Sequence, residues 1–206
     1  MPRKRLILPF LLLGGACAPA LQPLPPLAPF PEPPAESALP GDPIPDAGLD
    51  RDLDLALLRK RGLMVPVLGV SPWQIPDSYD AVRDGGRRHN AQDILAPRGT
   101  SVLAADDGVI LRVGTNALGG NVIWAADSEW RFAYYYAHLD HYARDLREGM
   151  RVKRGDVIGF VGTTGNAPAD TPHLHFQVMR ILDEKRYAKG PPFNPLPFFT
   201  TPGVTR

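Results

Sequence analysis

One cysteine in 206 residues excludes an internal disulfide. Excess charge of either sign is also missing: 23 basic against 22 acidic residues leave a net +1, which argues against a nucleic-acid-binding surface. No long apolar run occurs; the stretch Leu6 to Leu13 falls well short of the roughly 20 residues that a membrane-spanning helix needs. Histidine is scarce, with five in the chain, so any clustering of that residue is informative. What remains is 44% hydrophobic content, enough for one core, and an excess of proline, 24 residues, concentrated near the two ends.

The first 17 residues read as an export signal. Arg3-Lys4-Arg5 is a positive n-region, Leu6 to Leu13 an apolar h-region, and Gly14-Gly15-Ala16 supplies small residues before a cleavage point. Placed directly after them, Cys17 resembles the acylated cysteine of a bacterial lipoprotein, although Gly14 stands where that box usually carries leucine. The expected location is therefore the periplasm or cell envelope, with the membrane reached through a lipid on Cys17. Residues 18–48 hold prolines such as Pro23, Pro25, Pro26, Pro29 and Pro31, a composition that favours an extended polyproline spacer. Residues 49–64 hold a short helix and lead-in, with Leu49, Leu53, Leu57 and Leu58 spaced for one face. Asp50 and Asp52 at its start, Arg59-Lys60-Arg61 at its end and Gly62 beyond complement the helix dipole and mark a stop.

From Val65 onward, short apolar runs alternate with Gly and Asp, predicting strands over 101–105, 109–113, 121–125, 132–139, 157–161 and 174–181. Gly99-Thr100-Ser101-Val102 leading to Gly108-Val109-Ile110 is echoed by Gly149-Met150-Arg151-Val152 leading to Asp156-Val157-Ile158. This weak repeat predicts a mostly β fold, a compact antiparallel domain of two related halves. A Pro-rich C-terminal tail is expected over 183–206.

Chemistry concentrates in three places. His173-Leu174-His175 lies in a strand pattern, so the two imidazoles share one face while Leu174, Phe176 and Val178 take the other. His89 stands four residues before Asp93; imidazole and carboxylate are both good zinc ligands, and one of His173 or His175 would complete a three-ligand site. His138 closes the aromatic run Tyr134-Tyr135-Tyr136-Ala137-His138-Leu139, where a packed histidine is the ordinary expectation. His141, the fifth, reads as a surface residue.

The order of these elements resembles the lysostaphin-type zinc metallopeptidases, bacterial endopeptidases that cut peptide bonds in peptidoglycan. The shared pattern is His-x-x-x-Asp at 89–93, Gly-Thr-x-Val-x-Ala at 99–104, Tyr-x-His-Leu at 136–139, Gly-x-Thr-Gly at 162–165 and Pro-His-Leu-His-Phe at 172–176. The resemblance covers about residues 65–182 and implies a metallopeptidase domain there, with the family's duplicated β fold (the duplicated hybrid motif). It also implies that His89, Asp93 and His175 bind Zn2+ and that His138 and His173 form the catalytic pair. Peptidoglycan is then the expected partner, with a monomer as the default. Two positions depart from the family pattern: Ala91 replaces a common glycine, and Gln177 replaces a common glutamate. Some relatives that have lost ligands serve as activators of other wall hydrolases, a reading disfavoured here because every ligand and catalytic histidine is present. A histidine phosphocarrier would explain paired histidines but neither Asp93 nor an export signal.

Overall fold

The structure, a computed structural model, describes residues 50–200. The export signal, Cys17 and the whole proline spacer lie outside the described residues. One helix, α1 (Arg51–Arg61), is followed by β1 (Leu63–Met64), β2 (Gln92–Leu95), β3 (Ser101–Leu103), β4 (Gly108–Asn116) and β5 (Gly120–Asp127). Then come β6 (Phe132–Tyr142), β7 (Arg151–Val152), β8 (Val157–Val161), β9 (His173–Arg180), β10 (Pro192–Phe193) and β11 (Phe199–Thr200).

Every pairing in the large sheet is antiparallel. Its spine runs β10-β9-β6-β5-β4-β7; β2 adds to β9, and β8 bridges β3 and β6. All six predicted strands are present. The sequence repeat has a structural counterpart: β3 of the first copy pairs with β8 of the second, and β4 of the first with β7 of the second. This reciprocal exchange is what two related halves require.

Alternation along β6 and β9 divides core from groove. Tyr134 and Tyr136 of β6 and Leu174, Phe176 and Val178 of β9 are buried in the main core with Ile94, Ile110, Ile123 and Ile158. Tyr136 spends its hydroxyl on the fold, accepting a hydrogen bond from the Ala105 N–H at 3.0 Å. Ala91 is fully buried, and Asn90 rather than Ala91 takes the positive φ of 55°, so a β-carbon is accommodated where the family often has glycine.

Two expectations need correction. The Pro-rich tail does not begin at residue 183 as a segment apart: β10 pairs with β9, β11 pairs in parallel with β1, and Phe193, Phe198 and Phe199 are core residues. Burial of three phenylalanines outweighs the prolines between them. The domain thus extends past Leu182. In α1 the caps are as expected, with the Asp50 carboxylate accepting from the Leu53 N–H at 2.8 Å and Gly62 at the end. The buried face, however, is Asp54 and Leu58, while Leu53 is 45% exposed.

The reason is electrostatic. Asp54, 1% exposed, lies 2.6 Å from Arg131 and 3.4 Å from Arg180, so the helix is rotated to bring its carboxylate to two guanidinium groups. Arg61 at the other end reaches Asp106 and Asp127. The helix is therefore fastened to the sheet by ion pairs at both ends, with Leu58 between them. Asp54→Ala should lower the unfolding free energy by about 2 kcal/mol, because two partly buried cations lose their partner. Leu53→Ala, at an exposed site, should change it by less than about 0.5 kcal/mol. Urea denaturation of both variants checks the order; a larger loss in Leu53→Ala contradicts it.

Candidate metal centre

The β2–β9 register sets Asp93 directly opposite His175. Opposed residues of an antiparallel pair have β-carbons about 5 Å apart, so the two side chains meet on the groove face without any loop having to place them. His89 arrives from the preceding turn, where the left-handed Asn90 redirects the chain and the His89 N–H bonds to the Ala81 carbonyl at 2.9 Å. The result is compact. Donor atoms of His89, Asp93 and His175 all lie within 4.8 Å of one another.

Hydrogen bonds select the lone pair that each residue offers. His89 Nδ1 is 2.8 Å from the Ser78 carbonyl, to which it must donate, leaving Nε2 as an acceptor. His89 Nε2 lies 3.0 Å from His175 Nδ1 and 2.9 Å from Asp93 Oδ1. His175 Nδ1 lies 3.2 Å from the same oxygen. Burial opposes ionisation of Asp93, but hydrogen bonds and charge interactions with His175 and His89 outweigh it and hold the carboxyl well below the usual carboxylate range. Burial first, then neighbouring histidines, depress His175, while Asp93 pulls the other way. Two neutral imidazoles and one carboxylate suit a divalent transition metal, and three protein ligands leave a coordination position open.

His138 reaches the groove through a break in alternation. Between Tyr136 and Leu139, both in the core, β6 holds two residues where β5 holds one, a bulge that also lets Ala137 and His138 turn to the groove side. His138 takes the positive φ this demands, 62°, a conformation uncommon for a residue with a β-carbon. Its N–H bonds to the Gly119 carbonyl at 2.7 Å and its Nδ1 to the Thr164 carbonyl at 2.8 Å. Thr164 is itself fixed, its hydroxyl donating to the Leu139 carbonyl at 2.8 Å and accepting from the Asn121 N–H at 2.9 Å. Gly120 and Gly165 cross so closely that a β-carbon on Gly165 would lie 2.3 Å from the Gly120 nitrogen and 2.2 Å from the Leu118 carbonyl oxygen, which accounts for the glycine closing Gly-x-Thr-Gly. His173 Nδ1 similarly donates to the Thr171 carbonyl at 2.8 Å. Both histidines thus keep Nε2 free of the backbone, with ring centroids 4.9 Å apart. Burial pushes the His138 pKa down to about 4, the neighbouring histidines adding to the effect against the Thr164 hydrogen bond, so this imidazole is neutral at pH 7.

All five sequence-predicted site residues line one groove of about 730 Å³. His141 lies apart, exposed and stacked on Phe160. Sequence reasoning missed four contributors. Arg83 donates to Asp93 Oδ2 and lies 2.9 Å from His89 Nε2. Ser78 holds both His89, through its carbonyl, and Asp93, whose N–H donates to Ser78 Oγ at 3.0 Å. Tyr135, rather than Tyr136, faces the groove, with its ring centroid 6.0 Å from that of His175. The Thr164 carbonyl orients His138. Strand alternation from His138 would have selected Tyr136; the bulge is what shifts the choice to Tyr135.

The profile described as Peptidase family M23 matches residues 87–195, a span that contains His89, Asp93, His138, His173 and His175. The chain belongs to peptidase family M23. Among curated M23 relatives, the glycyl-glycine endopeptidase ALE-1 of Staphylococcus capitis is 36% identical over 119 residues, 57% of this chain and 31% of that protein. The L-Ala–D-Glu endopeptidase of Bacillus subtilis is 39% identical over 103 residues, 47% of this chain and 31% of that protein. The chain therefore spans under a third of the length of these relatives. The catalytic domain of lysostaphin from Staphylococcus simulans superposes with a TM-score of 0.51 at 31% identity, covering 60% of this chain and 90% of that domain. A zinc-containing peptidase from Vibrio cholerae gives 0.51 at 26% identity, over 66% of this chain and 40% of that one. The mostly β, antiparallel architecture is that of these M23 structures.

Proposed function

We propose that this M23 chain is an exported zinc endopeptidase that hydrolyses peptide bonds in the stem peptides or cross-links of peptidoglycan. One observation carries the reading. His89 Nε2, Asp93 Oδ1 and His175 Nδ1 converge within 4.8 Å, while His138 and His173 face the same groove with Nε2 turned from the backbone, that of His173 lying 3.8 Å from Asp93 Oδ1. The names of the relatives, peptidoglycan DD-endopeptidase ShyC of Vibrio cholerae among them, support the substrate class. A binding-only activator would tolerate loss of a donor, and none is lost.

In this reading the three donors hold zinc, which when bound supplies Lewis-acid chemistry to a water and to the scissile carbonyl. The remaining work falls to the protein. His138, neutral at pH 7 and locked by Thr164, presents Nε2 to accept a proton or to donate one after taking it up. His173, held by Thr171 on the same wall, presents the second Nε2. One imidazole takes the proton from water on Nε2 and passes it to the leaving amine; the other, whose Nδ1–H is committed to a backbone carbonyl, donates from Nε2 to the oxygen on which charge develops when it carries a second proton. Arg83 and Ser78 keep Asp93 turned toward the histidines.

Asp93→Ala and His175→Ala should each lose bound zinc, measured by elemental analysis of purified protein. His138→Ala and His173→Ala should retain about one zinc per chain. Their digestion of purified peptidoglycan, followed by mass analysis of released fragments, should fall by about 10²–10⁴-fold. Zinc at wild-type level in both ligand variants contradicts the assignment, as does undiminished cleavage by both histidine variants.

We also propose that Cys17 carries the lipid that tethers the domain, with the proline segment as spacer, in the periplasm or cell envelope. Support comes from the charged, apolar and small-residue order ahead of Cys17. Cys17→Ser should move the protein from the membrane to the soluble fraction on cell fractionation. An unchanged membrane fraction excludes the lipid tether.

A further inference from the structure

One end of the groove holds more than the proposed chemistry uses. Strand register places Arg112 of β4 opposite Trp124 of β5, Trp124 opposite Tyr135 of β6, and Tyr135 opposite Gln177 of β9. Residues opposed across successive strands share a face, so these four side chains form a row across the sheet. The row begins beside the metal centre, because Gln177 is two residues from His175 on the same strand face. Trp124 and Tyr135 are packed at 4.4 Å between ring centroids, and Tyr187 closes on Trp124 at 5.5 Å. The loop that delivers Tyr187 also brings Lys185 and Lys189 to the groove.

Two independent features characterise this end. Gln177 is 1% exposed, and its buried Nε2 has no hydrogen-bond partner within the described residues, although it lines the groove. A buried amide N–H left unpaired in this way is destabilising by about 1–3 kcal/mol until something accepts from it. The second feature is charge. Arg112, Lys185 and Lys189 line this end of the groove, whereas Arg83 and Arg88, in the segment before the metal centre, are paired with Asp93 and Asp80. Glu148, the carboxylate felt by Tyr187, accepts from the Val113 N–H at 3.2 Å and is not part of the lining.

We propose that the row from Gln177 to Arg112, with Lys185 and Lys189 above it, is a subsite for a carboxylate-bearing residue of the peptide substrate. The inference rests on the endopeptidase reading and narrows it to acidic, carboxylate-bearing peptides over neutral oligoglycine. Gln177 Nε2 donates to the peptide next to the bond cut, Trp124 and Tyr135 support its apolar portion, and the basic groups meet its carboxylate. Three strand spacings separate Gln177 from Arg112, about 14 Å, comparable with four extended residues at about 3.4 Å each. The carboxylate recognised is therefore within four residues of the scissile bond, on a side chain or at a chain end.

The test uses the full-length, zinc-loaded protein and a cross-linked stem-peptide dimer in three forms: free carboxylates, side-chain carboxylates amidated, and C-terminal carboxylates amidated. Pentaglycine is the neutral control. KM and kcat are measured with each, and calorimetry gives Kd for any form that is bound but not cut. Amidation of the recognised carboxylate should raise KM or Kd about tenfold or more, with kcat changed by less than about threefold, and the sensitive form identifies which carboxylate is read. Combined Arg112→Gln, Lys185→Gln and Lys189→Gln, all outside the core, should remove that sensitivity; Gln177→Glu should weaken the free-carboxylate form most. Equal constants for all three dimers, or sensitivity that survives the triple substitution, overturns the subsite. Failure to cut any peptide while carboxylate-dependent Kd values persist would overturn the endopeptidase reading and leave the subsite standing.

Discussion

The pairing of β2 with β9 is the constraint on which the site depends. It sets Asp93 across from His175, and the same register buries Ile94 and Leu174 on the opposite face. Because the side-chain period of a strand is two, a slip of β2 by one residue would carry Asp93 into the core and bring Ile94 out to the groove. Burial of Leu174, Phe176 and Val178 therefore protects the metal centre as well as the fold. Hydrophobic packing on one side of β9 fixes donor geometry on the other.

A second constraint works by violating that regularity. Strict alternation would send His138 inward with Tyr136, and the bulge at Ala137-His138 prevents it. The unfavourable backbone conformation of His138 is held by the carbonyls of Gly119 and Thr164, from two loops that cross at Gly120 and Gly165. The parts of the M23 pattern that carry no donor, Gly-x-Thr-Gly in particular, are thus explained by the orientation of one imidazole.

Much of this was legible from residues alone, for identifiable reasons. Phe132 to Leu139 is a continuous apolar, aromatic run and Leu174 to Val178 alternates with period two, and both lie within strands of the sheet. Asp50 and Gly62 mark the helix ends because capping is local chemistry. Interactions that depend on distant partners were not legible. The face of α1 is chosen by Arg131 and Arg180, about 80 and 130 residues away, against the leucine spacing. β2 is four residues long, too short for periodicity to register, yet it carries Asp93. Ser78 and Arg83 act from a connecting segment with no recognisable pattern, and Tyr135 was hidden by a bulge that composition does not announce. Phe193, Phe198 and Phe199 were masked by neighbouring prolines.

The central claim is a division of labour among four histidines within one groove: two bind metal and two do not. X-ray absorption at the zinc edge of the loaded protein tests it most directly, since scattering from imidazole rings counts coordinated histidines. The account predicts two histidine nitrogens and one carboxylate oxygen from the protein, at about 2.0–2.2 Å, with the histidine count unchanged in His138→Ala and His173→Ala. Three or more coordinated histidines in the wild type, or a count that falls in either of those variants, would contradict it.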